Sequence, residues 1–152
     1  MSISSAYRPD PAFSRLGDSF SDPVDPADFP AAILRFWNDR WDGAVGLDGL
    51  DTDGREAHFQ RFDPLPDNQP VPRAMRYHGH QFRTYNPELG DGRGFLFAQL
   101  HDEAGRLLDL ATKGSGQTPW SRGGDGRLTL KGAVREVLAA EMLEALGVYT
   151  SK

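Results

Sequence analysis

The sequence contains no cysteine, which excludes disulfide bridges, thiolate nucleophiles and thiolate metal sites and leaves only histidine and carboxylate sites open. No stretch approaches the roughly 20 consecutive apolar residues that a membrane helix requires. The first 30 residues carry Arg8, Asp10, Arg15, Asp18 and several prolines where a signal peptide would need an apolar run, so a soluble, cytoplasmic protein away from membranes is expected. Positive charge is also scarce. Seventeen Lys+Arg against 22 Asp+Glu leave a net charge of −5, a poor balance for a protein that binds by neutralising nucleic-acid phosphates. Nucleic acid is therefore not an expected partner. Lysine is scarcer still, with only Lys113, Lys131 and Lys152. Arginine supplies the remaining positive charge, so a lysine at the end of a strand is a local choice that needs a reason.

What is present fits one domain: 152 residues, 38% hydrophobic and 26% charged, enough chain to bury a single core. The charge is unevenly spread. Residues 1–72 hold 6 basic and 13 acidic side chains, whereas residues 73–152 hold 11 and 9. The basic excess coincides with the glycine-rich segments, which makes a small anion such as a nucleotide phosphate a natural ligand for the second half. Residues 1–30 read as an extended arm, because Pro9, Pro11, Pro23, Pro26 and Pro30 interrupt any helical period. Tyr7, Phe13, Phe20 and Phe29 are its candidate anchors. Residues 31–152 form the candidate folded lobe. Within it, residues 31–41 fit helix or strand, and residues 43–72 read mainly as loop with a short ordered piece around Ala57–Phe62.

Two short apolar runs, GFLFAQL (94–100) and RLLDLATK (106–113), are joined by the polar segment 101–105 and predict a β-hairpin. The second run puts Lys113 at the end of a strand. A Gly/Ser/Pro-rich loop follows (114–127), then a helix from about Thr129 to Leu146 closed by Gly147. One stripe of that helix collects Leu130, Val134, Val137, Leu138, Met142 and Ala145, which reads as core. The opposite side collects Gly132, Ala139, Ala140 and Leu143 with Glu136 as its only charge, so both sides read as buried. An ionised carboxylate in such surroundings needs a cation. Lys113 is the economical partner, because hairpin, lysine, loop and helix with an inward glutamate is the order of a protein-kinase N-lobe. The LGDGRG segment (89–94) stands where a kinase phosphate loop would, with backbone amides and the Arg93 guanidinium suited to an anion.

Each feature alone has a plainer reading. Gly90 and Gly92 could be turn residues, Lys113 a solvated charge, and Lys113 with Glu136 a structural ion pair. Their order and spacing together favour the kinase-like lobe. The GxGxxG and Walker A templates do not fit, since no GK[ST] occurs and Gly114-Ser-Gly116 lacks a third glycine. His78 and His80 would share a face of a strand, but no further ligand completes a metal shell, and hydrogen-bonded structural histidines are the default reading.

The segments YHGHQF (77–82), ELGDGRG (88–94), TKGSGQTPWSRGGDGR (112–127) and LKGAVREVLAAEMLEALGV (130–148) resemble the selenoprotein O family over nearly the whole chain. The resemblance implies an α+β fold, the N-lobe of a kinase-like pseudokinase behind an extended arm. It implies a protein adenylyltransferase that binds ATP in a flipped orientation and transfers AMP to hydroxyl side chains of protein substrates, with Mg2+ or Mn2+. Carried over by motif, Gly90, Gly92, Arg93, Lys113, Asp125 and Gly126 would contact nucleotide and Glu136 would position Lys113, with Arg127 and Arg135 as supports. Trp120 stands where many members have tyrosine. The catalytic and metal-binding residues of the family are expected in a C-lobe outside these 152 residues, so no catalytic residue or metal ligand is assigned and the chain alone is expected to be inactive. The alternatives are a non-catalytic nucleotide-binding or interaction module, including a gene remnant, and a phosphorylating kinase.

Overall fold

The computed structural model describes residues 3–152. Five strands, β1 (Ser21–Pro23), β2 (Arg73–Gln81), β3 (Thr84–Gly90), β4 (Leu96–His101) and β5 (Leu107–Ala111), accompany two helices, α1 (Thr52–Phe59) and α2 (Leu130–Ala145). All strand pairs are antiparallel, in the order β1-β2-β4-β5, with β3 folded back on the outer part of β2. The architecture is α+β, as expected.

Strand β4 is the centre of the core, and its continuous apolar sequence is what burial on both faces requires. Phe95, Leu96, Phe97, Ala98 and Leu100 are almost fully buried. One edge of β4 pairs with β5 from Leu96↔Ala111 to His101↔Leu107. The other edge meets β2 at Arg73↔Leu96 and, further along, the N-terminal arm at Pro9↔Leu100. Residues 8–10 therefore extend the sheet: the Asp10 N–H donates to Gln99 O and the His101 N–H to Arg8 O. Tyr7 packs at the core and its hydroxyl donates to Pro66 O, and the Phe13 N–H donates to the Gln99 side chain. Phe20, expected as an anchor, is instead half exposed.

Residues 31–41 form neither helix nor strand, although Trp37 stacks edge-on against Phe59. The ordered piece in the 43–72 region is α1, earlier than expected, capped by Asp51, whose carboxylate accepts from the Gly54 N–H at 2.8 Å. Helix α2 runs as expected. Thr129 caps its start by accepting from the Gly132 N–H, and Gly147, at φ +76°, closes its end. There the N–H groups of Gly147 and Val148 reach back to Glu144 O and Leu143 O, the paired bonds of a Schellman turn.

The burial expected for α2 is wrong. None of its residues is buried, and Leu130 and Leu138 are 61% and 63% exposed. Helical periodicity identifies which face is apolar, but burial needs a surface packed against it. Here α2 is held by polar contacts near its C-terminal end: Asn38 and Arg40 reach Glu141, and Trp41 reaches Glu144. Toward its start, from Leu130 to Leu138, its apolar stripe borders an open cleft of about 640 Å³ facing residues 29–36.

Candidate nucleotide site

The residues between β3 and β4 form a loop whose glycines are dictated by close packing. A Cβ on Gly90 would lie 2.5 Å from Cδ1 and Cδ2 of Trp120, and one on Gly92 would lie 2.9 Å from Trp120 O. Trp120 cannot easily give way, because its indole N–H donates to Asp22 at 3.0 Å and Asp22 in turn pairs with Arg76. The Arg76 hydrogen bonds, with a further contribution from Trp120, hold the Asp22 carboxyl below the usual carboxylate range. Arm, β2 and the 114–127 loop thus meet behind the glycine loop.

In front of the loop lies a cleft of about 230 Å³, lined among others by Tyr77, Asp91, Gly92, Arg93, Gly94 and Lys113. Lys113 lies two residues past the end of β5, and its Nζ is 2.9 Å from Oε1 of Glu136 on α2. Both side chains are about half exposed (49% and 52%), so the pair adds little to stability. Lys113 and Glu136 meet as expected, but the buried apolar surroundings that would make the pair a necessity are not there.

The N–H groups of Gly92, Arg93 and Gly94 donate to no acceptor among the described residues. Three consecutive amides without a protein acceptor, a guanidinium and an ammonium thus border one cleft, a set of groups chemically suited to an anion. Asp91 is the opposing charge. Burial pushes its carboxyl upward, partly offset by the Met75 N–H that it accepts at 3.0 Å.

Asp125 and Gly126 lie on the 114–127 loop and do not line this cleft. Asp125 is exposed and accepts from the Arg127 N–H. Gly126 is buried with φ +69°, and its carbonyl accepts from the Gly116 N–H at 3.3 Å, so it shapes the loop from within. Arg127 stacks over Phe29. His78 meets the Tyr85 hydroxyl at 2.8 Å through Nδ1. Sequence reasoning missed Thr118 and Ser121, whose hydroxyls touch the glycine loop. The glycine loop lies 27 to 29 residues away from these hydroxyls in sequence, so no local signal pointed to the contact.

The model of the family described as Protein adenylyltransferase SelO matches residues 3–152. The chain belongs to the SelO family. Among its relatives are proteins named Protein nucleotidyltransferase YdiU. That of Synechococcus elongatus is 56% identical over 144 residues, covering 94% of this chain and 29% of the relative. That of Gloeobacter violaceus is 56% identical over 145 residues with the same coverage, and that of Pseudomonas putida 45% identical over 150. The chain thus spans about 29% of the length of these SelO-family relatives.

Among the described residues no three His, Asp or Glu side chains gather into a possible metal site. These residues do not form a site for the divalent ion that the family resemblance implies. No helix among the described residues is long and apolar enough to cross a membrane.

Proposed function

We propose that this chain is the nucleotide-binding part of an ATP-dependent protein adenylyltransferase with a kinase-like N-lobe. The observation that carries the proposal is the Lys113–Glu136 pair, 2.9 Å apart, beside a cleft edged by Arg93 and three unpaired backbone amides. A triphosphate brings several negative charges in a small volume. The cleft answers with two cations, Lys113 held by Glu136 and the exposed Arg93, and with backbone amide dipoles. Holding Lys113 through Glu136 reduces the side-chain freedom lost on binding.

In the reaction of such an enzyme, a protein hydroxyl attacks the α-phosphorus of ATP. The oxygen–phosphorus bond to the β-phosphate breaks, pyrophosphate leaves, and the hydroxyl proton passes to a base. Residues Arg93, Lys113 and the loop amides would neutralise the phosphate charge as it shifts toward pyrophosphate. Gly90 and Gly92 would allow the loop its close approach, and Asp125 and Gly126 would act from the neighbouring loop. ATP and a hydroxyl-bearing protein are the partners this reading names. It assigns these 152 residues to binding, and robust magnesium-dependent AMP transfer by this chain alone would overturn that assignment.

The activity itself is tested with a SelO-family protein of full length supplied with ATP labelled at the α- or the γ-phosphate. Label reaching protein from α-labelled ATP only is the expected result. Transfer from γ-labelled ATP would make the enzyme a phosphorylating kinase, and transfer from neither would leave a binding module.

A further inference from the structure

The glycine loop can present its amides only if its peptide planes stay one way up. In a trans peptide the C=O of one residue and the N–H of the next point in opposite directions. The free N–H groups of Gly92, Arg93 and Gly94 therefore depend on where the carbonyls of Asp91, Gly92 and Arg93 point. All three carbonyls are tied back on the side of the 114–127 loop. The Thr118 hydroxyl donates to Asp91 O at 2.5 Å, the Ser121 hydroxyl to Gly92 O at 2.6 Å, and the Gly114 N–H to Arg93 O at 2.5 Å.

The direction of the two hydroxyl protons is forced. Thr118 Oγ1 accepts from the Trp120 N–H at 3.1 Å, and Ser121 Oγ accepts from the Thr118 N–H at 2.9 Å. Each hydroxyl has one proton, and with a donor already facing its oxygen that proton goes to the carbonyl. Such ties are needed here. Each of the three peptides has glycine on one side, which resists rotation poorly, so an untied plane could turn its carbonyl oxygen toward the cleft and repel phosphate.

We propose that Thr118 and Ser121 are positioning residues that hold the peptide planes of residues 91–93 with their amides facing the nucleotide phosphates. The proposal rests on the nucleotide reading above and deepens it, since the ligand group it names is the phosphate chain. Neither hydroxyl touches phosphate. They act through the backbone.

The test titrates ATP, and separately inorganic triphosphate, into the 152-residue chain, reading affinity by calorimetry and amide shifts by nitrogen-15 NMR well below the unfolding temperature. Triphosphate should move the amides of Gly92, Arg93 and Gly94 more than any other glycine amides. Thr118→Val and Ser121→Ala should each weaken ATP binding about tenfold, the scale of one hydrogen bond, while Thr118→Ser, which keeps the donor, should bind like the wild type. A purely structural role would lower the unfolding temperature and leave the affinity of the folded fraction unchanged. Lys113→Ala runs alongside. If wild type and triphosphate show no interaction, the nucleotide reading fails and this inference with it. If Lys113→Ala weakens binding but Thr118→Val and Ser121→Ala do not, or Thr118→Ser loses as much as Thr118→Val, the nucleotide reading stands and the positioning role is wrong. A wild type that binds triphosphate without moving those three amides overturns the proposal even where a variant fails to fold.

Discussion

Replacing Gly94 by alanine should remove a large share of the protein's stability, whereas the same change at Gly79 should not. A Cβ on Gly94 would overlap Thr112 O, lie 3.0 Å from Thr112 C and lie 3.2 Å from Lys113 Cα, all backbone atoms. The two backbones cannot separate without loss, because they are joined twice. The Thr112 N–H donates to Phe95 O at 2.9 Å, and the Phe95 N–H donates to Thr112 Oγ1 at 3.2 Å. Overpacking of this kind costs about 1–3 kcal/mol, and loss of the two hydrogen bonds about 1 kcal/mol each. The total, about 3–5 kcal/mol, is a large part of the roughly 5–15 kcal/mol that keeps a domain folded. Gly79 is the control. A Cβ there meets nothing within 4 Å, and alanine in a strand should be neutral or stabilise by up to about 1 kcal/mol. Urea unfolding of both variants, followed by tryptophan fluorescence, measures the difference. A Gly94→Ala protein within about 1 kcal/mol of wild type would refute the close approach of the glycine loop to Thr112 and Lys113.

Glu136→Ala should leave stability within about 1 kcal/mol of wild type, since the ion pair is half exposed, yet weaken ATP binding several-fold; unfolding curves and calorimetry together check both halves. Asp91→Asn keeps an acceptor for the Met75 N–H and removes a carboxylate whose ionisation burial opposes, so it should raise the unfolding temperature at pH 7 and tighten ATP binding. For Asp22 the sign runs the other way: its folded pKa is lowered by Arg76, so its stabilisation is complete above the unfolded carboxylate value of about 3.9 and is lost as pH falls through and below it. Unfolding temperatures measured from pH 6 to pH 2.5 should therefore fall less steeply in Asp22→Asn than in wild type.

The parts of the fold legible in the sequence are those whose burial or capping is local. Strand β4 announces itself as an apolar run because both its faces are covered, and α2 shows its start and stop through Thr129 and Gly147. The β2–β3 hairpin was not legible as a pair of strands. Most of its residues are exposed or only partly buried, so no alternation marks it, and its turn places Phe82 and Arg83 at φ +50° and +67° without the glycine or asparagine that usually signals such a turn. Helix α1 was misplaced because its TDGREAHF sequence offers few apolar residues and a glycine in the first turn. At the site, the Lys113–Glu136 contact followed from element order, although the argument from burial that accompanied it did not hold. The hydroxyls of Thr118 and Ser121 contact a loop about 27 to 29 residues away in sequence, and no local pattern encodes that meeting.

The central claim is that Lys113, held by Glu136, takes the phosphates of a nucleotide. Calorimetric titration of ATP with magnesium into the 152-residue chain, wild type beside Lys113→Ala, tests it most directly. The account predicts saturable binding by wild type that weakens at least about tenfold in Lys113→Ala, the scale of one charge-assisted hydrogen bond. Equal binding by the two folded proteins, or none by a folded wild type, would contradict it.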